Sequence, residues 1–153
     1  MNIVSNKART FGIAWDEECQ IGSYKYGKVK IIIGHNIFPK EDGGNYTLQT
    51  VFSNMKDSFL ERYYPSGKTN GEFGEKEFVL DKWNKLELKD IFVIEVSELG
   101  GYSHVNTLEL CMAYSGDEER LFYSFDNGES FNEIRYPKGT IEGVINLLPD
   151  YSP

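Results

Sequence analysis

Alternating apolar and polar positions predict the first strands of the chain. Large apolar side chains occupy every second position of Phe11–Trp15, the repeat of a strand with one buried face. The segment Tyr24–Ile33 is rich in aromatic and β-branched residues and predicts a second strand. Its aromatic and aliphatic positions have opposite parity, and Gly27 lies where the parity changes, so we expect a β-bulge there. The two strands should pair as a hairpin.

Two other segments have the spacing of amphipathic helices. Between residues 47 and 63, apolar side chains recur at intervals of three and four residues, which places them on one helix face. They are Leu48, Val51, Phe52, Met55, Phe59, Leu60 and Tyr63. Thr47 or Asn45 is expected to cap this helix, and a shorter helix is predicted over residues 140–148 with Thr140 as its cap.

The second half of the chain has mainly strand patterns. The Gly-rich segment 66–74 predicts an exposed loop. Ile91–Val96 is an almost continuous apolar run, as expected for a central strand that is covered on both faces. Alternation over residues 107–114 and 121–136 predicts further strands, with Asp126-Asn127-Gly128 as a tight turn. Mainly antiparallel strands with two helices predict an α+β fold, and we expect one domain over residues 1–153.

Charge and composition narrow the classes of function. The formal net charge is −8, and the basic residues form no cluster, which argues against binding to a nucleic-acid backbone. An acidic surface favours encounter with a basic partner. No apolar run is long enough for a membrane span or a signal peptide, and the pair Cys19 and Cys111 cannot form a disulfide framework. These features predict a cytoplasmic protein that binds no membrane.

No group of residues has the spacing of a catalytic or metal site. His35 and His104 each lack a second ligand at a usual distance along the chain, and the glycines form no phosphate-binding loop. We therefore expect a protein that has no cofactor and is not an enzyme.

Acidic runs are the most abundant polar chemistry in the chain. Asp16-Glu17-Glu18 and Asp117-Glu118-Glu119 both fall at predicted turns, where most such runs are simply solvated. Because they would also attract a basic partner, Asp16, Glu17, Glu18, Asp117, Glu118 and Glu119 are the candidate partner contacts.

Both ends of the chain resemble a known family. The C-terminal part reads Arg120-Leu121-Phe122-Tyr123, then Asp126-Asn127-Gly128, then Glu133–Thr140 and Val144-Ile145. The N-terminal part contains Phe11–Trp15 and Tyr26-Gly27-Lys28-Val29, followed by the predicted helix from Leu48 to Tyr63. This pattern is similar to bacterial immunity proteins of polymorphic-toxin and contact-dependent-inhibition systems, in particular immunity protein family 42.

The resemblance implies an inhibitor of a toxin. Such a protein binds and neutralises a cognate toxin, which is expected to be the C-terminal domain of a larger secreted protein. The negative charge favours a basic toxin such as a nuclease, whose active or substrate-binding face would be covered. Two alternatives remain open at this point: an acidic ligand-binding or adaptor domain, and a hydrolase that uses dispersed carboxylates.

Overall fold

The computed structural model describes residues 1–40, 44–60, 72–79, 90–100 and 107–151. They form two antiparallel sheets and two α-helices, so the predicted α+β fold is confirmed. The first sheet has the order β1-β2-β3-β4, with β5 also pairing with β3. Its strands are β1 (Asn2–Ser5), β2 (Phe11–Ile21), β3 (Tyr24–Ile33), β4 (Asn36–Phe38) and β5 (Tyr46–Thr47).

The predicted hairpin is the pair β2 and β3, and a bulge lies beside Gly27. The bulge is in β2, because Glu17 pairs with Gly27 and Cys19 with Tyr26, which leaves Glu18 as the extra residue. A Cβ atom on Gly27 would lie 1.6 Å from the Asp16 carbonyl oxygen, so only glycine fits there. The predicted turn at residues 16–18 is therefore wrong: these acids continue β2, since the bulge absorbs the break in alternation.

The second sheet has the order β6-β7-β8-β9. Its strands are β6 (Ile91–Ile94), β7 (Glu109–Ser115), β8 (Glu118–Ser124) and β9 (Asn132–Pro137). Among the described strands β6 is at the end of this order, not in the predicted central place. Its apolar run is explained by cores on both faces, with Phe92 and Ile94 in one and Ile91 in the other.

The hairpin of β8 and β9 is confirmed, but its loop is longer than the predicted tight turn. Asn127 and Gly128 have left-handed backbone conformations, with φ of 64° and 80°. The Asp126 carboxylate accepts hydrogen bonds from the hydroxyl groups of Ser124 and Ser130 and from the Ser130 amide. These bonds lower the pKa of Asp126 to about 2 and connect the two ends of the loop.

Helix α1 (Leu48–Asp57) begins where the pattern predicts and ends earlier. Thr47 occupies the N-cap position, but its side chain makes no capping bond; its amide donates to the Glu98 carboxylate. After the helix, Ser58 donates from its hydroxyl to the Asn54 carbonyl and accepts from the Glu95 amide. Residues 61–63 of the predicted helix lie outside the described residues.

Helix α2 (Thr140–Ile145) lies within the predicted range. The N-cap position is Gly139, with φ of 92°, so the prediction that Thr140 is the cap is wrong. The Thr140 hydroxyl donates to the Pro137 carbonyl instead. The predicted apolar face is buried as expected: Ile141, Val144, Ile145 and Leu148.

Among the described residues, two clusters of buried side chains stabilise the fold. The main core draws residues from both sheets and both helices, including Phe11, Ile31, Phe52 and Leu121. The second core lies on the other face of the second sheet, beneath residues 72–79. Phe73 belongs to this core, so residues 72–74 are not simply the exposed loop that the glycine content predicts, and residues 66–71 of that predicted loop lie outside the described residues. None of the helices in the described residues has the length and apolar character needed to cross a membrane.

Candidate partner-binding surfaces

The acids of the first run, Asp16–Glu18, are accessible to solvent and each lies near a cation. The Asp16 carboxylate is 3.5 Å from the N-terminal amine, Glu17 is 3.4 Å from the Lys25 ammonium, and Glu18 is 3.8 Å from that of Lys28. All three side chains are about two-fifths exposed, at 41%, 41% and 38%. Their charge is therefore partly balanced locally but remains available at the surface.

Glu17 also joins β2 to the C-terminal segment. Its carboxylate accepts a hydrogen bond from the Tyr151 hydroxyl, and this bond is the main reason that the pKa of Glu17 is lowered, with Lys25 adding to the effect. The Tyr151 ring packs on Phe52, with 6.1 Å between ring centroids, and the Lys25 ammonium lies 4.5 Å from the Tyr151 ring centre. This carboxylate therefore contributes to the fold as well as to the surface.

The second run, Asp117–Glu119, is divided between the surface and the interior. Asp117 is in the turn before β8, and Glu118 is exposed at 3.4 Å from Arg135. Glu119 is fully buried. It accepts the amides of Gly139, Thr140 and Ile141 at 2.5, 3.0 and 3.1 Å, which caps α2. In this structure the Glu119 side chain does not reach the surface, so it is not available as a partner contact.

Burial and hydrogen bonding act on Glu119 in opposite directions. Loss of solvent raises the pKa of its carboxyl group, while the three backbone amides favour the charged form. Burial has the larger effect. The two acidic runs lie on different sheets, and in the described parts of the chain no hydrogen bond or ion pair that we observe joins them.

Arg120 organises the outer face of the second sheet. It is 4% exposed, and its guanidinium forms a two-pronged ion pair with Glu133, with N–O distances of 3.0 and 2.9 Å. Its remaining terminal nitrogen donates to the carbonyls of Gly74 and Lys76 at 2.6 and 2.8 Å. Phe73 and Phe122 lie on the guanidinium, with 5.2 and 5.0 Å to their ring centres. The arginine thus fixes residues 72–79 to the sheet.

A second arginine, Arg135, links this segment to the sheet surface. It binds the carboxylates of Glu75, Glu118 and Glu133. The hydrogen bond from Arg135 is the main cause of the low pKa of Glu75, which is about 2. The Glu72 carboxylate accepts the Gly116 amide and so ties the start of the same segment to the β7–β8 turn.

A groove with an aromatic floor lies between residues 77–79 and the β8–β9 loop. It encloses about 480 Å³, and we call it the aromatic groove. Phe78 stacks on Phe122, with 4.0 Å between centroids and 6° between planes, and meets Phe131 edge to face at 5.1 Å. The charged residues that line the same groove are Glu77, Glu129 and Glu133, together with Arg120, whose guanidinium is paired with Glu133.

A second groove of about 600 Å³ lies between α1, the β2–β3 turn and the C-terminal segment. Several of its polar groups are already used within the fold. Gln49 accepts the Lys25 amide and donates to the Ser23 carbonyl, and the Lys56 ammonium donates to the Leu148 carbonyl. In this groove, which we call the helix groove, Gln49 and Lys56 are therefore already bonded to the chain itself.

The described residues form no recognisable metal site. No cluster of three or more His, Cys, Asp and Glu side chains with suitable positions occurs there. His35 is exposed, and His104 lies outside the described residues. Cys111 is buried, Cys19 is exposed, and the two form no disulfide.

The sequence alone does not predict the aromatic groove or the ion pairs beside it. Arg120, Glu133 and Arg135 stand in a strand pattern, and their pairing depends on the register of β8 with β9. One feature of the sequence does indicate a special role for Arg120. It lies two residues before the buried Phe122 and so on the same face of the strand, where an apolar residue would be expected.

Comparison with known proteins identifies the family. No curated protein and no solved structure matches the chain. The family model described as immunity protein 42 matches residues 6–151, which include both helices and all the described strands except β1. The chain therefore belongs to the immunity protein 42 family.

Proposed function

We propose that this protein binds a cognate bacterial toxin and neutralises it by covering the toxin's active or substrate-binding face. The observation that carries the proposal is the family match over residues 6–151. Inhibition by coverage needs a stable scaffold and a shaped surface, with no reacting group. The two sheets share a continuous core with both helices, which supplies such a scaffold.

The proposed partner is a basic domain at the C-terminus of a larger secreted protein, and a nuclease is the expected activity. The net charge of −8 supports a basic partner, because opposite charges increase the rate of encounter. The proposed contacts are the exposed acids of the two runs: Asp16, Glu17, Glu18, Asp117 and Glu118. The site of action is the cytoplasm, where such a toxin would meet its substrate.

The pKa values and positions of the carboxyl groups support a role without catalysis. A hydrolase that uses two carboxylates needs one with a raised pKa in an accessible cleft. Among the described acids Glu119 has a raised pKa, but its oxygens face the backbone amides of α2 and it lines neither groove.

Cell survival tests the proposed function. The C-terminal domain of the protein encoded immediately upstream is expressed from an inducible promoter, with and without this protein. We expect growth arrest in its absence and normal growth in its presence. A catalytically inactive toxin domain controls for the burden of expression. If the domain arrests growth to the same extent with and without this protein, or is harmless alone, the proposed pairing is wrong.

A further inference from the structure

The aromatic groove combines an apolar floor with two carboxylates, Glu77 and Glu129, that have no cation partner among the described residues. Glu77 and Glu129 are exposed, and within the described residues no ion pair or side-chain hydrogen bond engages either carboxylate. Glu133 differs, because Arg120 and Arg135 both bind it. Within the described part of the chain, the rim therefore carries two negative charges that no cation balances.

The floor is a fixed aromatic surface. One face of the Phe78 ring lies flat on Phe122, which is 1% exposed, so the opposite face is directed away from the sheet. Phe131 supports the edge of Phe78 from the side. Arg120 binds the carbonyl of Lys76, two residues before Phe78, and so holds the backbone that carries the ring.

We propose that the aromatic groove receives an arginine side chain of the toxin, an inference that rests on the proposed function. A guanidinium is planar, so it can stack on the Phe78 ring while its N–H groups bond the carboxylates of Glu77 and Glu129. The arginine would be an anchor that is desolvated at its flat faces and paired at its edges.

Other occupants fit this chemistry less well. An apolar side chain would cover the floor but remove water from two carboxylates without replacing their hydrogen bonds. An acidic group would be repelled by the same carboxylates. The helix groove is not equivalent, because Gln49 and Lys56 bond to the chain itself there.

Binding of the upstream-encoded toxin domain to groove variants tests the proposal. The variants are Phe78→Leu and the double change Glu77→Gln with Glu129→Gln, and the matched control is Glu142→Gln together with Glu95→Gln, two exposed acids outside this groove. Because an aromatic stacking partner and two charged hydrogen-bond acceptors are lost in turn, we expect each groove variant to raise the Kd about tenfold or more. The control should leave the Kd within about twofold.

A probe that does not need the toxin gives the second arm. Nα-acetyl-arginine amide is titrated into the isotope-labelled full chain, with Nα-acetyl-citrulline amide as the uncharged analogue of the same shape. We expect amide shifts at residues 77–79 and 128–132 with the arginine probe that are absent with citrulline and lost in Glu77→Gln with Glu129→Gln. Equal responses to the two probes, or none at these residues, would overturn the arginine site.

The two arms separate the two proposals. If the wild-type protein binds the toxin and the groove variants bind it equally well, the arginine site is wrong while the proposed function stands. If the wild-type protein does not bind the toxin, that pairing fails, and the arginine probe still decides whether the groove recognises a guanidinium. The thermal unfolding midpoint of every variant is measured alongside, so that a loss of binding can be distinguished from a loss of folding. Glu77 and Glu129 are exposed, and their substitution should leave the midpoint unchanged.

Discussion

The same tripeptide, Asp-Glu-Glu, occurs at residues 16–18 and at residues 117–119, and the fold uses the two copies differently. The first lies in β2 with all three side chains partly exposed and each near a cation. The second begins in a turn and ends with Glu119 fully buried against the start of α2. Composition and local pattern are alike, so the difference arises from what the tertiary structure places beside each copy.

The comparison shows that an acidic run is not one kind of feature. A carboxylate beside a lysine at the surface gains little from the pair, because solvent screens it. A carboxylate beside three backbone amides at a buried helix start replaces solvent for groups that would otherwise lack a partner. The free energy of unfolding should therefore depend mainly on Glu119 in the second copy. The rate of encounter with a partner should depend on the exposed acids of both copies.

The largest expected effect is on folding stability. Glu119→Ala removes the acceptor for the amides of Gly139, Thr140 and Ile141, and we expect a loss of about 3 kcal/mol in the free energy of unfolding, since buried donors are left unpaired. Urea denaturation at neutral pH measures it. Glu18→Ala is the matched control and should cost less than about 1 kcal/mol. Equal losses in the two variants would show that Glu119 does not cap α2.

The next effect is on the rate of association with the toxin. Glu17→Lys with Glu18→Lys, and separately Asp117→Lys with Glu118→Lys, should each slow association about tenfold at low ionic strength, because local charge steers encounter. Stopped-flow mixing measures the rate. The control, Glu142→Lys with Glu95→Lys, changes the net charge equally but lies outside both runs. Equal slowing in all three would show that net charge matters and the position of the acids does not.

A fall in pH should change the contributions of Glu17 and Glu119 to the free energy of unfolding in opposite directions. The pKa of Glu17 is lowered, mainly by the Tyr151 hydroxyl, so its contribution is present above the ordinary value of 4.5 and is lost as pH falls through the folded-state pKa. The pKa of Glu119 is raised by burial, so stability falls as pH rises from 4.5 through its folded-state pKa.

The direction of each effect is obtained from the difference in free energy of unfolding between wild type and a glutamine variant. As pH falls below 4.5, the advantage of wild type over Glu17→Gln should shrink; as pH falls toward 4.5 from neutral, its free energy of unfolding relative to Glu119→Gln should grow. Urea denaturation over a pH series gives both differences. Slopes of the same sign would contradict the assigned environments.

The smallest effect concerns the link between Glu17 and the C-terminal segment. Tyr151→Phe removes the hydroxyl that donates to Glu17 but keeps the ring on Phe52, so we expect a loss of less than about 1 kcal/mol and a rise in the pKa of Glu17. The pKa is measured by NMR titration of the Glu17 carboxyl carbon. An unchanged pKa would mean that the hydroxyl does not bond this carboxylate in solution.

Much of the fold could be predicted because periodicity reports burial directly. The hairpin of β2 and β3, the apolar faces of both helices and the pairing of β8 with β9 follow from such patterns. The position of β6 in the sheet could not be predicted in this way. An apolar run indicates that both faces of a strand are covered, but not how many neighbouring strands it pairs with. The turn expected at residues 16–18 was wrong because a single extra residue, Glu18, shifts the alternation.

The candidate contacts were less predictable from the sequence. Exposure of Glu118 and burial of Glu119 depend on the approach of α2, which is encoded some twenty residues later at Gly139–Ile141. The aromatic groove likewise joins residues 77–79 to the β8–β9 loop, and no local pattern records that contact. Family membership, by contrast, was accessible, because the hairpin and helix motifs at both ends are local and lie in the matched range.

Titration of the purified toxin domain into this protein at low and at high salt tests the central claim most directly. We expect a saturable complex of one chain with one toxin domain that inhibits the toxin and weakens as salt increases, since screening reduces the attraction between the acidic surface and a basic partner. A toxin domain that stays fully active in saturating amounts of this protein, with no heat of binding at either salt concentration, would contradict the account.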